Sequence, residues 1–117
     1  MAESTGPNLG MKHGWNLGES GWHTGMESNL HRLDTVCHLS VLDRDLNTPP
    51  GSPAAGSRYI VGQSPTGAWA GKAGQVAVFS GSAWVFYAPK IGWVAYVEDE
   101  EKITVYKSSG WSAGIAI

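Results

Sequence analysis

The sequence predicts a mainly β chain with one N-terminal helix: an extended arm, a short helix at about 25–40, and a small antiparallel β-meander forming a sheet or open barrel. Three observations carry this. Short runs rich in Val, Tyr, Phe and Trp recur at intervals of about eight to eleven residues after Arg58, parted by turns bearing Gly, Pro and Ser. Ahead of them, Met26, Leu30, Leu33 and Cys37 recur at the spacing of a helix face. Before that, the chain shows no sustained period of either kind.

Residues 1–24 read as an arm. G-W-N-L-G-E at 14–19 is echoed by G-W-H-T-G-M-E at 21–27, which puts Trp15 and Trp22 seven positions apart among polar neighbours. With no local core to enter, Trp15, Leu17, Trp22 and Met26 are the candidate partner-binding residues.

Residues 25–46 read as a helix and connector, with the helix a candidate oligomer axis. Thr24 and Glu27 have the spacing of a capping box, in which hydroxyl and carboxylate satisfy each other's backbone amides. Behind it, Glu27, His31, Asp34 and His38 form a polar face beside the apolar stripe, which Val36 and Val41 flank. The connector V-L-D-R-D-L runs into T-P-P-G-S-P, which no helix tolerates. So short a helix is marginal alone in water, so its stripe must be covered by the β-domain or by copies of itself. Leu30, Leu33 and Cys37 are the candidate oligomer interface.

Residues 47–117 read as the β-domain. The candidate strands are Arg58–Val61, Gln75–Phe79, Ala83–Tyr87, Trp93–Val97, Ile103–Tyr106 and Trp111–Ile117. Val76 and Val78, then Trp84 and Phe86, alternate with smaller or more polar residues, as in a half-buried antiparallel sheet. The last run carries no charged residue, so it is expected to be paired or covered.

Composition excludes several roles. At 117 residues the chain is one domain by length, burying only about two-thirds of its unfolded surface. Its single cysteine cannot close an internal disulfide. A net charge of -2, with eight scattered Lys and Arg, supplies no field for nucleic acid. No run is apolar enough to span a membrane, and M-A-E-S-T-G-P lacks the features of a signal peptide, so folding in a cytoplasm is expected.

Candidate chemistry is sparse. A helix running through His38 would set His31, Asp34 and His38 on one face, but that is also where a solvated polar face belongs, and no metal is assigned to them. Cys37 and His38 point about 100° apart on a helix, so Cys37 reads as a buried structural thiol in the apolar stripe. The run Glu98, Asp99, Glu100, Glu101 suits a solvated turn between strands better than a calcium loop. There is no G-x-S-x-G, P-loop, G-x-G-x-x-G or paired-cysteine motif. The expectation is a non-enzymatic protein without cofactor or metal. Trp84 and Trp93, inside strands, suit core packing, whereas Trp69, flanked by G-A and A-G in a loop, is the candidate for an exposed glycan contact.

The ordered series N-L-H-R-L-D at 29–34, V-L-D-R-D-L at 41–46, P-P-G-S-P-A-A-G-S-R-Y-I-V-G at 49–62, G-A-W-A-G at 67–71, G-Q-V-A-V-F at 74–79 and F-Y-A-P-K-I-G-W-V-A-Y-V at 86–97 resembles a known family. It is a small domain of unknown function found in tailed-phage tail-fibre and gene-transfer-agent virion proteins. The family has no assigned catalytic residues and commonly opens longer fibres. The resemblance implies a structural protein of a phage or gene-transfer-agent virion (fibre, spike, or tail or baseplate component), assembled in a bacterial host cytoplasm and held by its arm to capsid, tail or baseplate proteins. It also implies a homo-oligomer, a trimer by analogy with fibres. Because this chain stops at Ile117, attachment, plugging or decoration is expected rather than a receptor-reading tip. The alternative is a carbohydrate-binding host-adsorption module using exposed aromatics.

Overall fold

The structure, a computed structural model, describes residues 3–117. These divide after Cys37 into two compact units.

In the first unit, β1 (Ser4–Thr5) pairs antiparallel with β2 (Lys12–His13), and α1 follows over Trp22–Val36. The helix starts earlier than the capping-box reading places it. Gly21 adopts a left-handed conformation, φ 86°, and caps the helix with no side-chain hydrogen bond, so Thr24 already lies within the first turn. It also ends earlier. The Cys37 amide donates to the Leu33 carbonyl at 3.0 Å, and His38 turns the chain out with φ 53°. His31, Asp34 and His38 therefore do not share one helix face. His31 instead lies 3.8 Å from Glu27, both side chains exposed.

The helix face that is buried is the one bearing Gly25 and Asn29. The Asn29 side chain acts as a strand partner for β2, accepting from the Lys12 amide at 2.7 Å and donating to the Lys12 carbonyl at 2.8 Å. Trp15, half-buried, lies over Gly25, where a β-carbon would collide with its ring. About two helical turns further along, the guanidinium of Arg32 lies against Gly10, 3.0 Å from where a β-carbon would stand. The arm thus folds back on its own helix. The apolar stripe lies roughly a quarter-turn away around the axis and stays exposed: Trp22 53%, Met26 37%, Leu30 56%, Leu33 37%. Cys37 is exposed too, which corrects the buried-thiol reading; the chain is already extended there and leaves the helix.

The second unit contains two open sheets. In one, β4 (Arg58–Ile60), β5 (Val76–Phe79) and β6 (Trp84–Tyr87) form an antiparallel meander in sequence order. The other has the order β10-β8-β7-β3, from β3 (Ser40–Val41), β7 (Val94–Val97), β8 (Lys102–Lys107) and β10 (Ile115–Ala116), with β9 (Gly110–Trp111) also paired to β8. The β3–β7 pairing is parallel, with Ser40 opposite Tyr96 and Val41 opposite Val97. The sequence had assigned these residues to helix and connector. Tertiary pairing overrides that, because Val41 is fully buried and its carbonyl accepts from the Glu98 amide at 2.9 Å. The two sheets are linked through this segment, since the Leu42 amide donates to the Arg58 carbonyl at 2.8 Å and the Ile60 amide to Asp43 at 3.2 Å.

The core comprises small β-branched and alanine side chains, with Val41, Val61, Val76, Ala77, Ala95 and Val97 all fully buried, plus one aromatic nest. In the nest, Trp69 sits 5.2 Å from Trp84 and 5.6 Å from Tyr59, ring centre to ring centre. Phe79 closes it at 5.2 Å from Trp84. A single 3₁₀ turn, Gly67–Trp69, swings the Trp69 indole inward. Trp69 is 0% exposed, so the expected exposed glycan contact is a core residue. Its flanking glycines serve the turn, Gly67 at φ 61° and Gly71 at φ 80°, and do not mark a flexible, open loop.

Candidate functional sites

Two features of the surface are built from unusual side-chain groupings, one in each unit.

The first unit presents the stripe on α1. Three of its members, Trp22, Met26 and Leu30, follow at intervals of four residues, with Leu33 and Cys37 continuing at three and four. Leu17, in the turn before the helix, is fully exposed. Of the residues expected to meet a partner, Leu17, Trp22 and Met26 are therefore on the surface with Leu30, Leu33 and Cys37. Trp15 is set apart from them, engaged with Gly25.

The second unit carries a cleft of about 780 Å³ between its two sheets. One wall comes from the strand-end segment after β4, with Gly62, Gln63 and Ser64; the other comes from Tyr106 and the turn through Ser108, Ser109 and Gly110 to Trp111. Arg44 and Asp45 line the connector side. The Arg44 guanidinium is fully committed. It donates to the two Glu100 carboxylate oxygens at 2.9 and 2.7 Å, to the Ser112 carbonyl at 2.7 Å and to the Ala113 carbonyl at 2.6 Å. This fork ties the connector to the far end of the second sheet, around the buried Thr104 hydroxyl, which donates to Ser112 at 2.8 Å. The hydrogen bond from Arg44 holds Glu100 below the usual carboxylate range, and the same bond raises Arg44 against the opposing effect of its own burial.

Trp111 bridges the two walls. Its indole N–H donates to the Gly74 carbonyl at 2.8 Å, and its ring meets Tyr106 edge-on at 5.2 Å between centres. Sequence reasoning left Trp111 open between core packing and a sugar or protein contact, and did not single it out. The signal that could have raised it is its position after K-S-S-G, a turn that delivers a large aromatic to a sheet end.

Beside the cleft, Asp43, Asp45 and Asp99 bring carboxylate oxygens within 4.8 Å of one another. Asp43 accepts from the Asp45 amide at 2.7 Å. Although Asp99 lies at the surface, partial burial of its carboxyl, followed by the charges of Asp43 and Glu100, pushes it above the usual carboxylate range. With one oxygen from each, these carboxylates supply three of the six to eight ligands that calcium takes, so water or backbone would have to complete any such sphere. The acidic run at 98–101 thus does not act as one group: Glu98 accepts from the Ser40 hydroxyl at 2.6 Å, Glu100 pairs with Arg44, and Asp99 joins Asp43.

No helix among the described residues is long and apolar enough to cross a membrane. Residues 26–112 match the family described as "Protein of unknown function (DUF2793)", and the chain belongs to that family. No curated protein matches it.

Proposed function

We propose that this member of the family is a non-enzymatic structural protein of a phage or gene-transfer-agent virion, serving as a fibre, spike or tail component and attached through its N-terminal unit. The observation that supports this best is the stripe of Trp22, Met26, Leu30 and Leu33, all exposed on a helix whose adjacent face is already occupied by its own arm. Contiguous apolar surface of this kind is a mark of protein interaction sites. The series of motifs that resembles virion proteins supplies the setting. In this reading Trp15 is a strut that holds the arm on α1, and Leu17, Trp22 and Met26 do the anchoring. Copies of the chain associate through Leu30, Leu33 and Cys37 into a homotrimer, which is held in the particle by capsid, tail or baseplate proteins.

The test is incorporation. Leu17→Asp combined with Trp22→Ala in the full chain should leave a folded protein that is depleted from purified particles. Particles that retain it at the normal level would defeat the proposal.

A further inference from the structure

We infer that the cleft of the second unit binds a short, uncharged saccharide. This goes beyond the structural role proposed above and does not depend on it. It also moves the candidate sugar contact away from Trp69, which is fully buried, to Trp111 and Tyr106.

Four observations converge. The cleft's volume of about 780 Å³ falls within the range of small-molecule sites, about 300–1,000 Å³. Its aromatic element is fixed in advance: the hydrogen bond from Trp111 to Gly74 and the edge contact with Tyr106 hold the half-exposed indole in place, so a ligand need not order it. Both rims carry exposed, uncharged groups that can donate and accept, Gln63 and Ser64 on one side and Ser108 and Ser109 on the other. Finally, the charge balance selects against anions. Every nitrogen of the single arginine in the lining is engaged with Glu100 or with backbone carbonyls, while Asp45 faces the cleft with Asp43 and Asp99 close behind it. A phosphate, sulfate or carboxylate entering there would meet negative charge with no free cation to offset it.

A ligand that suits this lining has one apolar face for the indole and a ring of hydroxyls for amides and serines. Those are the properties of a pyranose. At Gly74 and Gly110 a β-carbon would meet nothing within 4 Å, so the backbone borders open space where such a ring can lie.

The experiment is a glycan array carrying neutral and acidic oligosaccharides, probed with the full-length chain displayed multivalently. The strongest neutral hit is then titrated against the isotope-labelled protein and followed by amide and indole NMR. Retention of neutral but not acidic glycans is expected, with the Trp111 indole N–H and the Gln63 and Ser109 amides shifting together. Gln63→Ala should weaken binding at least tenfold and Ser109→Trp should abolish it by filling the cleft, both with unchanged circular dichroism. The inference is overturned by an array with no neutral glycan retained, by equal retention of acidic glycans, or by binding that neither folded variant diminishes.

Discussion

The Trp15 ring lies in the space that a β-carbon on Gly25 would fill, so the arm and α1 meet at the one helix position without a side chain. Gly25→Ala should therefore destabilise the first unit, although alanine is the better helix former. The clash costs about 1–3 kcal/mol, and the gain in helix propensity returns up to about 1 kcal/mol. A net loss of up to about 2 kcal/mol is expected. Hydrogen exchange at the Asn29 side chain and the Lys12 amide would report it locally, and unchanged protection there would refute the contact.

Arg44 and Glu100 act as the clamp of the second unit. Their side chains are 15% and 21% exposed, so the pair is shielded but not dry. Arg44→Ala should cost about 3 kcal/mol, as it leaves Glu100 and the Ser112 and Ala113 carbonyls without a donor. The pH dependence follows from Glu100. Its folded-state pKa is depressed, so its contribution is fully present above the unfolded value of about 4.3 and is lost as pH falls through the lower folded value. Denaturation of Glu100→Gln should accordingly show a shallower acid limb than the parent.

Asp99 runs the other way. With its pKa raised, the folded state holds the proton more tightly, so deprotonation costs stability, and that cost is fully present once pH exceeds the folded value. Asp43→Asn keeps the acceptor for the Asp45 amide while removing one repelling charge. The Asp99 titration, followed by side-chain carbonyl NMR, should move down towards the ordinary carboxylate range, and the thermal midpoint at neutral pH should rise slightly. Both changes should shrink at about 1 M salt.

Trp69→Ala should be the most damaging single change in the aromatic nest, costing about 3–5 kcal/mol. For a unit with so thin a core, that is a large part of the whole stability. Trp69→Phe should cost much less, because the Trp69 indole N–H is buried without a hydrogen-bond partner and phenylalanine leaves nothing unpaired there. Urea denaturation of the two variants gives the comparison.

Leu30→Asp with Leu33→Asp tests self-association. The parent should sediment as a trimer, and the double variant as a folded monomer. A parent that stays monomeric at high concentration would remove α1 as the oligomer axis.

Much of the architecture could be read locally. The turn chemistry between β4 and β8 placed each strand to within a residue or two, because alternation and glycine-bearing turns are properties of adjacent residues. The helix was legible from its stripe, but its ends were not: a left-handed glycine at 21 replaced the capping box at Thr24, and His38, one of the few non-glycine types that take a positive φ with some ease, turned the chain out ahead of the expected helix end. Ser40–Val41 escaped because its strand character comes from β7, more than fifty residues away. Trp69 was misplaced because glycine neighbours signal a tight turn without saying which side of it the indole takes.

By itself the sequence determined the class of the fold, the order of the helix and of strands β4 to β8, and an apolar helix stripe too long to be incidental, since each follows from periodicity and turn preference within a few residues. The tertiary structure alone decided which side of α1 is covered, which tryptophan is core and which is surface, and that Arg44, Glu100 and Trp111 frame a cleft. Those outcomes depend on contacts between residues far apart in the chain, where packing and hydrogen bonding outweigh local preference by more than any propensity can register.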